Sequence, residues 1–154
     1  MIQAIYIAPK PGAAQQAMNN IDVIAGKGIL GDRNYDQHRW HGQNITLVEI
    51  ENIQNFDQQY QQHLTLDATR RNLITKGVAL NELIGQTFFI GSTKLIGTER
   101  CEPCLAFSQQ LASDTVSKQQ VFDAFTSKAG IRATILSDGV ITMGMPITVN
   151  NAKS

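Results

Sequence analysis

The chain lacks an excess of charge of either sign, with 13 lysines and arginines against 13 aspartates and glutamates in 154 residues. A protein with no net field has no general hold on a polyanion, so a nucleic-acid partner is disfavoured. Charged residues are scarce, at 17%, but the 42% apolar content suffices for a core and excludes disorder as the main state. No apolar run approaches the ~18–20 residues that span a bilayer. The opening MIQAIYIAPK also lacks the basic start and long apolar stretch of a signal peptide, so a cytoplasmic location without a membrane partner is expected. Cysteine is nearly absent as well. Cys101 and Cys104 stand three positions apart, where a disulfide would close too small a loop to hold a fold together, so a chemical role is expected of them. With no repeat and no low-complexity linker, the length predicts a single domain over residues 1–149 and a short tail over 150–154.

Patterning predicts mainly strands. Residues 1–8 alternate Ile2, Ala4, Tyr6 and Ala8 against Gln3, Ile5 and Ile7 and then stop at Pro9, Pro11 and Gly12. Residues 20–25 predict a second strand ending in the glycine-rich turn Gly26 to Gly31. Residues 44–48 predict a third, running straight into Ile50, Ile53, Phe56 and Tyr60 at helical spacing. Residues 69–75, 86–90 and 93–98 read as further strands, the last two forming a hairpin about Gly91-Ser92. Ser117 and Gln120 make a capping-box pattern ahead of an apolar face of Val121, Phe122, Phe125 and Ala129, with Gly130 placed to end the helix. Residues 131–137 and 140–143 flank Asp138-Gly139, which predicts a C-terminal hairpin. Short strands with glycine turns and a few separate helices predict a mainly β, β-rich α+β fold, barrel-like with short helices.

Three motifs carry candidate chemistry. Gly26-Lys27-Gly28-Ile29-Leu30-Gly31 has dinucleotide-fingerprint spacing, but residues 32–43 lack the apolar stripe of the helix that such a site needs. A tight turn is expected there, with a backbone-amide anion loop as the alternative. Cys101-Glu102-Pro103-Cys104 lies between a strand ending near Arg100 and a helix starting near Pro103, which would put Cys104 in a first helical turn. Unpaired amides there favour a thiolate, Arg100 adds to the effect and Glu102 opposes it. Two small buried hydrophobes are the plain alternative. A thioredoxin-like CxxC is disfavoured because βαβ alternation is missing. Zinc bound with His38 and His41 is disfavoured by their two-residue spacing.

The third motif is a set of arginines. Arg33, Arg70, Arg71, Arg100 and Arg132 are guanidinium candidates for a phosphate. On a strand, Arg70 and Arg71 would point to opposite faces, so only one of them is expected in any cleft.

Read in order, Gly28-Ile29-Leu30-Gly31-Asp32-Arg33, then Arg71-Asn72-Leu73-Ile74-Thr75-Lys76-Gly77-Val78 with Leu80-Asn81 and Leu83-Ile84-Gly85, then Cys101-Glu102-Pro103-Cys104 and Gly130-Ile131-Arg132-Ala133, resemble the MOSC domain. The likeness covers nearly the whole chain, as in a small stand-alone member. It departs at Asn34, where relatives often carry histidine, and at Gly144-Met145, which replaces a glycine–aspartate pair. The resemblance implies a β-rich barrel-like fold that binds a molybdenum–pterin cofactor or handles sulfur destined for it. Related domains end molybdenum-cofactor sulfurases, whose separate pyridoxal-phosphate domain makes the persulfide; no pyridoxal-phosphate site is recognised in this chain. Carried over by position, the reactive cysteine falls on Cys104, a candidate molybdenum ligand, with Cys101 second. Arg33, Arg71 and Arg132 would anchor the cofactor phosphate or pterin, Asn72 would hydrogen-bond or hold the loop, and Asp32 is carried over beside Arg33; Arg100 is a further cofactor-binding candidate.

Two functions follow as expectations. One is reduction of a small N-hydroxylated substrate, with electrons from a separate electron-transfer protein, since no ferredoxin or flavin pattern is present. The other is a persulfide carrier loaded by a cysteine-desulfurase-type sulfur donor. A redox or zinc-binding CxxC domain ranks below both, and a homodimer is the default assembly.

Overall fold

The computed structural model describes residues 1–37 and 44–149. Its first half runs β1 (Ile2–Ile7), β2 (Gln16–Met18), β3 (Asn20–Ile24), β4 (Gly28–Ile29), β5 (Ile45–Glu49), α1 (Ile50–Tyr60) and β6 (Leu73–Thr75). A 3-10 turn at Leu80–Leu83 follows, and then β7 (Thr87–Ile90), β8 (Thr93–Arg100), α2 (Leu105–Leu111), α3 (Lys118–Phe125), β9 (Ile131–Ile135), β10 (Gly139–Thr142) and β11 (Ile147–Val149). Eight strands form one sheet in the order β11-β7-β8-β9-β5-β6-β1-β2, and β10-β3-β4 form a second. The large sheet is antiparallel except for β5 and β6, whose parallel pairing is allowed by the crossover through α1. It curls like half a barrel: the Ile2 N–H donates to the Met145 carbonyl at 2.9 Å and the Gly144 N–H to the Ile2 carbonyl at 2.8 Å, so the first strand meets the chain just ahead of the last. No described helix is long and apolar enough to cross a membrane.

Strand alternation divides the apolar residues between two faces of the long sheet. Leu47, Leu73, Phe88, Leu95 and Ile131 pack on one face against Ile21, Val23, Ile29 and Ile141 of the small sheet. On the other face Ala4, Val48 and Ile74 lie beneath Ile50 and Ile53 of α1. A third cluster of Phe56, Phe107, Leu111, Val121 and Phe125 joins the three helices. Its rings meet at centroid distances of 5.1 and 5.2 Å, the range that aromatic pairs prefer. A register shift between Ile2 and Ala4 alters the simple alternation of β1, so that Ile2, Ile5 and Ile7 share the main core while Ala4 and Tyr6 belong to the helix side.

Several expectations need correction. The strands flanking Asp138-Gly139 form but do not pair with each other: β9 joins β5 and β8, and β10 joins β3 in the other sheet. The dipeptide is a change of sheet, held in part by the Ala25 N–H donating to Asp138 Oδ1 at 2.8 Å. Helix α3 has the expected capping box, but it ends at Phe125, and Phe122 is 42% exposed. Gly130 does not stop that helix; a Cβ there would lie 2.0 Å from the Leu47 carbonyl oxygen, so glycine is required for strand-to-strand approach. Residues 69–72 are not strand. Arg70 has φ of 59°, in the left-handed region, and the extended stretch begins only at Leu73. The glycines from Gly26 to Gly31 make a turn around the two-residue β4 paired with β3, and no helix follows.

Candidate functional site

On the helix-side face of the long sheet, beyond the cover of α1, opens a cleft of about 260 Å³. Its floor is Thr46 of β5 and its cross-strand partner Arg132 of β9, with Ile45 beside them. Arg33 and Asn34 enter from the loop after β4, and Arg70 and Arg71 from the loop before β6. The left-handed backbone at Arg70 is the local reason that two consecutive side chains line one cleft. In a strand they would have diverged, so the expectation that only one of them lines a cleft is overturned.

Each guanidinium is held from behind. Arg33 donates from Nη1 to Gln15 Oε1 at 3.2 Å and to Asp32 Oδ1 at 3.1 Å, and from Nη2 to the Arg70 carbonyl at 3.2 Å. Arg70 donates from Nη2 to the Ala13 carbonyl at 2.8 Å, and Arg71 from Nε to the Ala129 carbonyl at 2.9 Å. Arg71 also lies 5.1 Å from the centroid of the Phe107 ring, within cation–π range. Arg132 pairs with Glu99 at 3.1 Å. Among the described residues, Arg70 and Arg71 make no ion pair with a carboxylate. Burial lowers the pKa of Arg71, and Arg132 and Arg33 push it the same way while the two cysteines oppose. Arginine remains charged regardless, so the cleft holds four cations against two paired acids.

Asp32 and Asn72 build the cleft without facing it. Asp32 is buried and its carboxylate accepts the Ala8 and Asn34 N–H groups at 3.0 and 3.2 Å, besides Arg33. Asn72, also buried, accepts from the Thr46 N–H and hydroxyl at Oδ1, at 3.1 and 3.2 Å, and donates from Nδ2 to the Tyr6 carbonyl at 3.1 Å. It ties β1, β5 and the arginine loop together. Arg100 is absent from the cleft lining; its Nε pairs with Glu102 at 3.3 Å and its Nη1 reaches Ser127 Oγ at 3.3 Å.

The two cysteines differ in setting. Cys104 is exposed and caps α2 rather than lying inside its first turn: its Sγ accepts the Phe107 N–H at 3.5 Å. Cys101 is buried, and burial raises its thiol pKa while Arg71 and then Arg132 pull it down. Arg71 therefore connects the cleft to both sulfurs, through its field and through Phe107. Sequence reasoning allowed only one of Arg70 and Arg71 into a cleft, and it missed Thr46 in the lining and Gln15 as a support of Arg33. His38 and His41 lie outside the described residues. Among the described residues no group of three or more His, Cys, Asp or Glu side chains is placed to hold a metal ion.

A strand-rich sheet curled like half a barrel, with a few short helices on one face, defines the class as a small β-rich domain. The MOSC domain family matches residues 34–148, and the chain belongs to it. The fold is shared with solved structures at low identity. The YuaD protein from Bacillus subtilis is 17% identical, with a TM-score of 0.80 over 95% of this chain and 92% of that one. YiiM from Geobacillus stearothermophilus is 15% identical with a TM-score of 0.72, over 98% of this chain and 75% of the other. YiiM from Escherichia coli is likewise 15% identical, with a TM-score of 0.69 over 99% and 71%. No curated protein sequence matches the chain.

Proposed function

We propose that the arginine cleft binds a molybdenum–pterin cofactor and that Cys104 supplies its protein sulfur ligand. The observation that carries this reading is the convergence of Arg33, Arg70, Arg71 and Arg132 on one cleft, with an exposed thiol capping the helix whose Phe107 ring meets Arg71. The donor set suits the group. Guanidinium forks match a phosphate, side-chain polar groups of Asn34 and Thr46 can meet the edge of a pterin, and a soft thiolate suits molybdenum. When bound, the cofactor supplies a redox metal able to reduce an N–O bond. The chain's own part is to neutralise the cofactor's charge with fixed cations, to orient it between β5, β9 and the arginine loop, and to hold a sulfur at the start of α2. The substrate class is a small N-hydroxylated compound, and the electrons come from a separate electron-transfer protein.

Exposure of Cys104 favours a second reading, in which its thiolate accepts a sulfane sulfur from a cysteine-desulfurase-type donor and passes it to a cofactor. Metal and pterin analysis separates the two. Protein purified from a host that makes the cofactor, beside Cys104→Ala, is expected to contain molybdenum and pterin that the variant loses. A native protein without either, but 32 Da heavier at Cys104, would establish the carrier reading in its place.

A further inference from the structure

We propose that the turn over residues 126–130, between α3 and β9, positions the thiol of Cys104, and that Glu102 is the positioning residue through which it does so. This deepens the reading of Cys104 as a sulfur ligand, and the purpose of the positioning rests on that reading. Residues 101–104 belong to no helix or strand, so the placement of the thiol depends on what the loop is tied to. Two of its hydrogen bonds lead to the turn. The Cys101 N–H donates to the Gly130 carbonyl at 2.8 Å, and Glu102 Oε1 accepts the Ser127 N–H at 2.8 Å. Arg100 closes the arrangement, with its Nε 3.3 Å from Glu102 Oε2 and its Nη1 donating to Ser127 Oγ at 3.3 Å.

The turn is built to be a fixed reference. Its last four carbonyls accept from four different segments: Ser127 from Asn81 Nδ2 at 2.9 Å, Lys128 from Asn52 Nδ2 at 3.2 Å, Ala129 from Arg71 Nε at 2.9 Å and Gly130 from the Cys101 N–H. Ser127 holds a left-handed φ of 64°, a conformation that persists in a serine only where its surroundings impose it. The Ala129 carbonyl and the Ser127 N–H thus set a guanidinium of the cleft and the loop that carries the thiol against one support. Burial does not force Glu102 into its bond, since its side chain is 46% exposed. Water would serve the carboxylate as well, so the effect of the bond falls on the loop rather than on the core.

The test compares Glu102→Ala with Glu102→Gln in the full chain. Both variants remove the charge and only Glu102→Ala removes the acceptor for the Ser127 N–H, so the difference between them isolates the hydrogen bond. The first readout is amide hydrogen exchange at Phe107, whose N–H is held by Cys104 Sγ, in chain purified from a host unable to make the cofactor. Exchange there is expected to speed up about tenfold in Glu102→Ala and less than about threefold in Glu102→Gln, with both urea midpoints at the wild-type value. In chain from a host that makes the cofactor, Glu102→Ala is expected to lose most of its molybdenum and Glu102→Gln to keep it. Equal exchange in the two variants, a fall in urea midpoint that accounts for the faster exchange, or full molybdenum in Glu102→Ala beside a freed Phe107 amide overturns the inference. A wild type without molybdenum removes the cofactor reading alone, and the difference in exchange between the two variants then still decides the positioning.

Discussion

The two faces of the long sheet are built from the same strands and end differently. The face carrying Leu47, Leu73 and Ile131 is closed over its length by the small sheet, with each of these residues at 0% exposure. The face carrying Thr46, Val48, Ile74 and Arg132 is closed by α1 only over Val48 and Ile74; at Thr46 and Arg132 arginines replace the apolar cover. Neighbouring positions on β5 therefore serve opposite ends. The sealed face holds the fold, and the open one spends burial on four cations that contribute little stability unless a ligand neutralises them.

Substitutions on the two faces should separate these roles. The largest effect is expected where the sealed face is tightest. Gly130→Ala must move the Leu47 carbonyl and accept a φ of 100°, which should cost about 3 kcal/mol or more in a urea melt; a loss under 1 kcal/mol would show that the strands can part there freely. Asn72→Ala comes next, at about 2–3 kcal/mol, because it strands the Thr46 N–H and the Tyr6 carbonyl in the interior. It should also loosen the arginine loop and weaken phosphate binding, although Asn72 touches no ligand.

Arg71→Met should behave in the opposite manner. Removing a buried cation for an apolar chain of similar reach is expected to leave stability within about 1 kcal/mol, while retention of bound cofactor collapses. A strongly destabilised Arg71→Met would mean that the open face is structural after all. The smallest effect lies at Cys101. Its thiol pKa is raised by burial, so as pH climbs above the ordinary thiol range the unfolded chain ionises first and the folded state loses stability. Cys101→Ala should remove that alkaline slope in pH-dependent melts. Thiol titration under native conditions should meanwhile find Cys104 reactive and Cys101 protected.

The sealed face was the legible part. Alternation and β-branched residues mark β1, β3, β5, β7 and β8 in the sequence, and apolar spacing marks α1, because the pattern that defines each element also buries it. The capping box at Ser117 is local chemistry and reads correctly for the same reason. What stays hidden is pairing over distance. Asp138-Gly139 is a good hairpin dipeptide, yet its strands find better partners in β5 and β3, which lie far away in the chain. Phe122 sits at an apolar spacing but faces outward, because α3 spans only eight residues and its core contacts run through Val121 and Phe125.

The candidate site was half legible. Arg33, Arg71 and Arg132, which the resemblance singled out, line the cleft; Asn72 holds the loop, one of the two roles expected of it, while Asp32 turns inward as a support and Arg100 pairs with Glu102. Arg70 was set on the face opposite Arg71 because a left-handed arginine is invisible to period-two reasoning. Residues 69–72 read as part of a strand, and the turn shows only in the structure, at a φ of 59° for Arg70.

The hydrogen bonds that join Ile2 to Met145 and Gly144 have a consequence for the order in which the molecule is made. Strand β1 is synthesised first, but it is clasped by residues that leave the ribosome some 140 positions later. The half-barrel therefore closes only once Gly144 and Met145 have been made. Strand β1 finds both its edge partners, β2 and β6, within the first half of the chain, so only its Ile2 end waits for Gly144 and Met145.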